Sequence, residues 1–195
     1  MNDSSHLRPG QRSKIRWLFG ALALVLLVLG IKEGRKFVFL DNFGAVEEGV
    51  LYRSGQLRPY QIRDVIRDYG VKTVINTREE EAPSELMEAE DQACRAEGAE
   101  MVRIMMPGDG RGTYAQYDEA LAILSDSNRL PALIHCARGT HRTGALVSAY
   151  RVAVEGVPVD DAMREMERYR FKPEGHVLIP HLRPYLEAKR AGQKE

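Results

Sequence analysis

One decapeptide constrains this chain more than any other stretch: His135-Cys136-Ala137-Arg138-Gly139-Thr140-His141-Arg142-Thr143-Gly144. A short apolar run, residues 130–135, leads into it, and a helical pattern over 142–154 leads out. A cysteine and an arginine in C-x5-R spacing are therefore set between a buried strand and the start of a helix. A loop of this length can turn successive backbone N–H groups inward and form an anion nest. The helix N-terminus adds its free N–H groups and the positive end of its dipole. Gly139 permits backbone conformations that a Cβ would oppose.

Cys136 is expected at the base of the nest. Positive potential lowers a thiol pKa from about 8.5 into the ~3.5–7.5 range and gives a thiolate at neutral pH. A thiolate can attack phosphorus and form a phosphocysteine intermediate. Arg142 is expected to place its planar fork on two phosphate oxygens, and the Thr143 hydroxyl to help the sulfur leave. His135 is expected to order the loop through hydrogen bonds. Ala137, Arg138, Gly139, Thr140 and His141 are the candidate phosphate cradle.

The rest of the chain alternates short apolar runs with amphipathic stretches. Strands are expected at 50–53, 71–75, 101–106 and 130–135, and helices at 59–69, 83–97, 114–127, 142–154, 159–169 and 179–191. This alternation implies an α/β fold with a mostly parallel central sheet flanked by helices, over residues 42–191. The acidic stretch at 79–91 holds seven acids and is read as a solvated helix face. The 28 basic and 28 acidic residues balance, which argues against a globally basic nucleic-acid binder. The two cysteines exclude a disulfide framework and a four-cysteine zinc site. No His/Asp spacing suggests a metal, and the chemistry of the loop needs no metal or cofactor.

Residues 1–16 form a polar, basic tail, and 17–31 are uncharged and apolar. As a helix the apolar run is roughly 22 Å long, short for a bilayer core of about 30 Å. Arg16 and Lys32 can snorkel, and Trp17 suits the interface. The expectation is one N-terminal transmembrane helix, a signal anchor giving a single-pass membrane protein. A cleaved signal peptide and a buried core helix are the alternatives. Against cleavage, residues 31–36 offer no small-x-small site. Arg8, Arg12, Lys14 and Arg16 precede the run, and Lys32, Arg35 and Lys36 follow it. The positive-inside rule then favours a periplasmic or extracytoplasmic globular domain.

HCARGTHRTG resembles the HC-x5-R-[ST]-G signature of protein tyrosine and dual-specificity phosphatases. It is close to the HC-x-x-G-x-[HN]-RTG version of the atypical dual-specificity group. Upstream, Tyr52-Arg53-Ser54-Gly55-Gln56 looks like the group's "YRSGQ" opening, and residues 72–78, KTVINTR, are similar to its "KTVINLR" strand. Downstream, 150–152 and 162–169 look like the helices after the loop. The likeness covers residues 46–186. It implies a cysteine-phosphatase fold, a bacterial membrane-anchored member acting as a monomer, and a phosphorylated protein or small phosphomonoester as substrate. It also implies a general acid on a mobile loop after an earlier strand. That loop is 106–113, where Asp109 stands between Gly108 and Gly110; Asp118 is the competitor. Arg111 is a candidate for binding anionic substrate.

Ala137 departs from relatives that act on inositol pyrophosphates, where a Lys after the cysteine would fit. Substrate alternatives therefore span phosphotyrosine, phosphoserine/threonine, phosphoinositides and inositol phosphates. A non-catalytic phosphate-binding module is a second class of reading. A rhodanese-like sulfurtransferase is a third, disfavoured by Arg142-Thr143-Gly144. Cys94 is read as a small buried hydrophobe or as a redox partner of Cys136. His176 and His181 are read as surface or capping residues.

Overall fold

Three short segments carry the centre of the structure: Leu51–Ser54, Thr73–Asn76 and Ala132–His135, every residue of which is buried. In the computed structural model, residues 40–79 and 84–192 are described, with positions 17, 19–22 and 24–27. Contacts divide the chain into two units, Met1–Phe39 and Leu40–Glu195.

Leu40–Glu195 holds a five-stranded sheet. In chain order the strands are β1 (Gly44–Glu47), β2 (Leu51–Ser54), β3 (Thr73–Asn76), β4 (Glu100–Arg103) and β5 (Ala132–His135). Their spatial order is β1-β2-β5-β3-β4. β2, β5, β3 and β4 pair in parallel, and β1 adds an antiparallel edge. The helices are α1 (Pro59–Tyr69), α2 (Ser84–Ala96), α3 (Tyr114–Leu124), α4 (His141–Ala153), α5 (Val159–Glu165) and α6 (Leu178–Ala191).

The period of two along each strand sorts the core into two layers. Leu51, Ile75, Ala132 and Ile134 join the cluster containing residues of α3, α4, α5 and α6. Tyr52, Val74 and Leu133 join the other cluster, with Ile62, Val65 and Ile66 of α1 and Cys94 of α2. Helices thus flank both faces, the arrangement parallel strands require. α4 runs through the larger core, with Arg142 to Tyr150 all buried.

Local signals set the helix ends. Pro59 opens α1, and Gly70, at φ 65°, closes it with its N–H on the Ile66 carbonyl. Thr113 and Gln116 cap α3 reciprocally, Oγ1 accepting from the Gln116 N–H at 3.2 Å and Oε1 from the Thr113 N–H at 2.8 Å.

Several expectations are corrected. β1 was not anticipated. The strand expected over 101–106 ends at Arg103; beyond it the Ile104 and Met106 N–H groups still bond the Asn76 and Thr77 carbonyls at the exit of β3, and the Met106 carbonyl accepts from Arg142. The helix expected over 114–127 stops at Leu124, and Ser127–Arg129 forms a separate 3-10 turn whose entry Asp126 caps through the Asn128 N–H. The helix expected over 159–169 is α5 followed by a 3-10 turn, Met166–Tyr169. Of the apolar run 17–31, positions 17, 19–22 and 24–27 are helical, and the others lie outside the described residues. Among the described residues no helix is long and apolar enough to cross a membrane, so the expected span is not shown.

Candidate active site

The central parallel strand β5 ends at His135 and delivers Cys136 directly into the loop, with the cysteine almost fully buried. The next turns are shaped by hydrogen bonds that pull carbonyls outward. The Gln56 N–H donates to the Ala137 carbonyl at 3.1 Å. The Gly139 N–H points the other way and donates to Cys136 Sγ at 3.1 Å. Gly139 has φ 64°, and a Cβ there would lie 2.6 Å from the Ser54 carbonyl oxygen. The sharp turn therefore needs glycine for both conformation and space. Thr140 then serves as the N-cap residue of α4.

Burial pushes the Cys136 thiol up, but the loop reverses the sign. The Thr143 hydroxyl and N–H and the Arg138 N–H beside the sulfur, with the charge of Arg142, bring its pKa below the ordinary thiol value. Arg142 is itself buried. Its Nη1 reaches the Thr77 carbonyl at 3.4 Å and the Met106 carbonyl at 3.3 Å. Its Nε is buried with no partner among the described residues, a donor available to an anion.

The loop 106–113 closes against this nest. His141 Nδ1 lies 3.3 Å from the Gly108 carbonyl. Gly110, at φ 91°, packs so closely that a Cβ would stand 3.1 Å from the His141 carbonyl carbon. Tyr117 Oη donates to the Gly110 carbonyl at 2.7 Å, and His181 Nε2 lies 2.7 Å from the Gly112 carbonyl. The glycine expected to confer mobility thus also provides a contact surface.

Asp109 is partly exposed on this loop. Its carboxylate accepts from the Arg111 N–H at 3.0 Å and pairs with Arg111 Nε at 2.8 Å. Its slight burial raises the pKa, but Arg111 and the nearby His176 outweigh that and hold it below the usual carboxylate value. Arg111, expected to face substrate, is engaged with Asp109. The His141 and His176 rings are 4.5 Å apart. Burial, opposed by the Gly108 carbonyl, keeps the His141 pKa below its ordinary value.

Other candidates fall away from the loop. Asp118 accepts from Tyr185 Oη at 2.8 Å and pairs with Lys189 Nζ at 2.6 Å, tying α3 to α6. Cys94 is fully buried, and burial with the charges of Glu90 and Asp91 pushes its thiol up to about 12. A thiol held so high is a poor redox partner. His176 Nδ1 accepts the Leu178 N–H at 3.1 Å at the start of α6, the capping role expected. Among the described residues no group of three or more His, Cys, Asp or Glu is arranged to hold a metal ion.

The comparisons with known proteins agree on one family. A family model, PTP-NADK, described as DSP-PTPase phosphatase fused to NAD+ kinase, matches residues 40–177. The chain belongs to this DSP-PTPase phosphatase family. The inositol diphosphatase DSP3 of Arabidopsis thaliana is 34% identical over 117 residues, 57% of this chain and 54% of that protein. The chain therefore spans about half the length of this curated relative. The core catalytic domain of the PP-IP phosphatase SIW14 from S. cerevisiae, solved with citrate, superposes with TM-score 0.62 at 25% identity, over 80% of this chain and 93% of that one. P. aeruginosa TpbA shares the fold, with TM-score 0.62 at 23% identity, over 80% and 92%.

Behind the loop of this phosphatase-family chain lies a polar knot that sequence reasoning missed. Glu90, one of the acids read as a solvated face, is fully buried. Its Oε1 is 2.5 Å from His135 Nε2, and its Oε2 accepts from Asn76 Nδ2 at 3.1 Å and Gln56 Nε2 at 3.2 Å. Burial raises the Glu90 pKa, but His135, Gln56 and Arg78 outweigh it and keep the pKa below its ordinary value. The signal was present: Glu90 shares a helical stripe with buried Met87, Ala93 and Cys94.

The two thiols should separate cleanly under alkylation. With iodoacetamide at neutral pH, mass spectrometry is expected to find label on Cys136 and none on Cys94 in the native protein. Equal labelling, or labelling of Cys94 first, would contradict the geometry.

Proposed function

We propose that this protein is a cysteine-dependent phosphatase that hydrolyses phosphate monoesters, phosphotyrosine above all and phosphoserine or phosphothreonine besides. The observation that carries the reading is the lowered thiol of Cys136 with the Arg138, Gly139 and Thr143 N–H groups directed at it, beside an Arg142 Nε that has no partner among the described residues. Cys136 attacks phosphorus, and the ester oxygen leaves. Asp109 gives that oxygen its proton, then takes one from the water that cleaves the phosphocysteine bond. Arg142 and the N–H groups of 137–141 hold the equatorial oxygens as charge builds up. Thr143 steadies the sulfur as it departs. His135, paired with Glu90, fixes the strand end behind the nucleophile.

A second reading, phosphoinositide or inositol phosphate hydrolysis at the same site, is favoured by the names of the Arabidopsis and yeast relatives. Ala137 after the nucleophile weighs against inositol pyrophosphates. A panel of phosphopeptides and inositol phosphates separates the two readings. We also propose that residues 17–31 anchor the chain in a membrane, with the catalytic unit on the extracytoplasmic side. The exposed apolar side chains of Trp17, Phe19 and Leu22 support this. Cysteine-labelling topology on whole cells tests it; protection of the catalytic unit from an impermeant label in intact cells counts against it.

Kinetics with a small aryl phosphate test the chemistry. Cys136→Ser is expected to abolish turnover, and Asp109→Asn to cost about 10²–10⁴ in rate. The thiolate is present above the Cys136 pKa, and protonated Asp109 below its own. Both lie lower than usual, so kcat/KM is expected to peak on the acid side of neutral. Arg111→Gln removes the cation that favours the Asp109 carboxylate. One limb of the profile should then move to higher pH; a profile with both limbs unchanged would exclude Asp109 as the acid.

A further inference from the structure

The nest around Cys136 exists only because the loop's carbonyls face away from the sulfur. In a planar trans peptide the C=O and the next N–H point in opposite directions. Whatever holds the carbonyls of Arg138 and Gly139 outward therefore aims the N–H groups of Gly139 and Thr140 inward. Two side chains from outside the loop do this. Asn42 Nδ2 lies 3.0 Å from the Arg138 carbonyl, 3.0 Å from the Gly139 carbonyl and 3.2 Å from the Tyr169 carbonyl. Arg53 Nη2 donates to the Gly139 carbonyl at 2.5 Å.

Arg53 is unusual in a second respect. It sits in the middle of β2 with no solvent exposure, and its Nε and Nη1 have no partner among the described residues. Its guanidinium stacks 3.6 Å from the centroid of the Tyr169 ring. A buried cation without a bonded carboxylate is costly unless negative charge answers it. Burial lowers its pKa to about 10, with Tyr169, Glu165 and Cys136 acting in the opposite sense, so it stays charged at neutral pH. Glu165 and, more weakly, the Cys136 thiolate answer it with negative charge.

We infer that Asn42 and Arg53 are positioning residues of the phosphate loop, which lock its N–H groups onto the thiolate and the bound phosphate from outside. Asn42 adopts φ 50° to reach the loop, a left-handed conformation that asparagine tolerates better than most residues. The Gly55 N–H on the Asp41 carbonyl, at 2.7 Å, fixes the segment that presents it. Neither side chain touches substrate; both act through the backbone of 138–140.

The inference rests on the phosphatase reading for its purpose, but its test does not need turnover. In the full chain, the pH dependence of Cys136 alkylation by iodoacetamide gives the thiolate midpoint, and protection by inorganic phosphate gives an affinity. Asn42→Ala and Arg53→Met are each expected to raise the midpoint and to weaken phosphate protection about tenfold, the scale of one or two lost hydrogen bonds, neutral for Asn42 and charge-assisted for Arg53. Arg53→Lys, which keeps the charge and loses the fork, is expected to restore the midpoint in part. Thermal melts separate a site effect from unfolding. If Arg53→Met does not fold, Asn42→Ala decides alone. A cooperatively folded Asn42→Ala with wild-type midpoint and wild-type phosphate affinity overturns the inference. Wild-type protein with a low midpoint and phosphate protection but no phosphatase turnover overturns the proposed function instead.

Discussion

A buried sulfur atom can carry negative charge only where dipoles and cations answer it. Burial alone would hold Cys136 as an inert thiol, as it holds Cys94. The difference between the two cysteines is the backbone around them. Cys94 sits in a helix whose N–H groups are committed to the helix and whose neighbouring charges are acidic. Cys136 leaves a parallel strand and enters a loop whose N–H groups converge on it, with the first turn of α4 behind. The fold's task at this point is to keep that convergence from relaxing.

The sheet supplies the rigidity. β5 is flanked on both sides by parallel partners, β2 and β3, so its end is fixed in register. From β2 and the segment after it come Arg53 and Gln56; from β3 and its exit come Asn76 and Thr77. Glu90 of α2 gathers His135, Asn76 and Gln56 into one buried polar knot directly behind the nucleophile. Such networks are unforgiving, because each member left unpaired pays its full desolvation cost. The loop 106–113 then closes the opposite side through Gly108, Gly110 and the Met106 carbonyl.

The cysteine loop, the strand before it and the helix after it were legible because apolar run, glycine and basic residue fall in strict order over a few positions. The two-layer core was equally legible in outline, since its apolar residues recur with strand and helix periods. β1 was not. Gly44–Glu47 is a four-residue edge strand with one buried residue, and so little burial leaves almost no pattern. Glu90 was masked by its acidic neighbours, although its place on the buried stripe of α2 marked it. Arg53 lies in a block that carries the resemblance, but its burial depends on Gly139 and Tyr169, more than eighty positions away. Asn42 carries no local signal, because its role depends on residues nearly a hundred positions away.

Covalent chemistry at Cys136 is the claim on which the functional reading depends. The direct measurement is a rapid acid quench of the protein turning over an aryl phosphate, followed by peptide mass spectrometry. The expected result is a phosphoryl group on the peptide bearing Cys136, absent from Cys136→Ser and increased in Asp109→Asn when breakdown becomes limiting. Turnover with no phosphate on Cys136, or with phosphate on another residue, would contradict it.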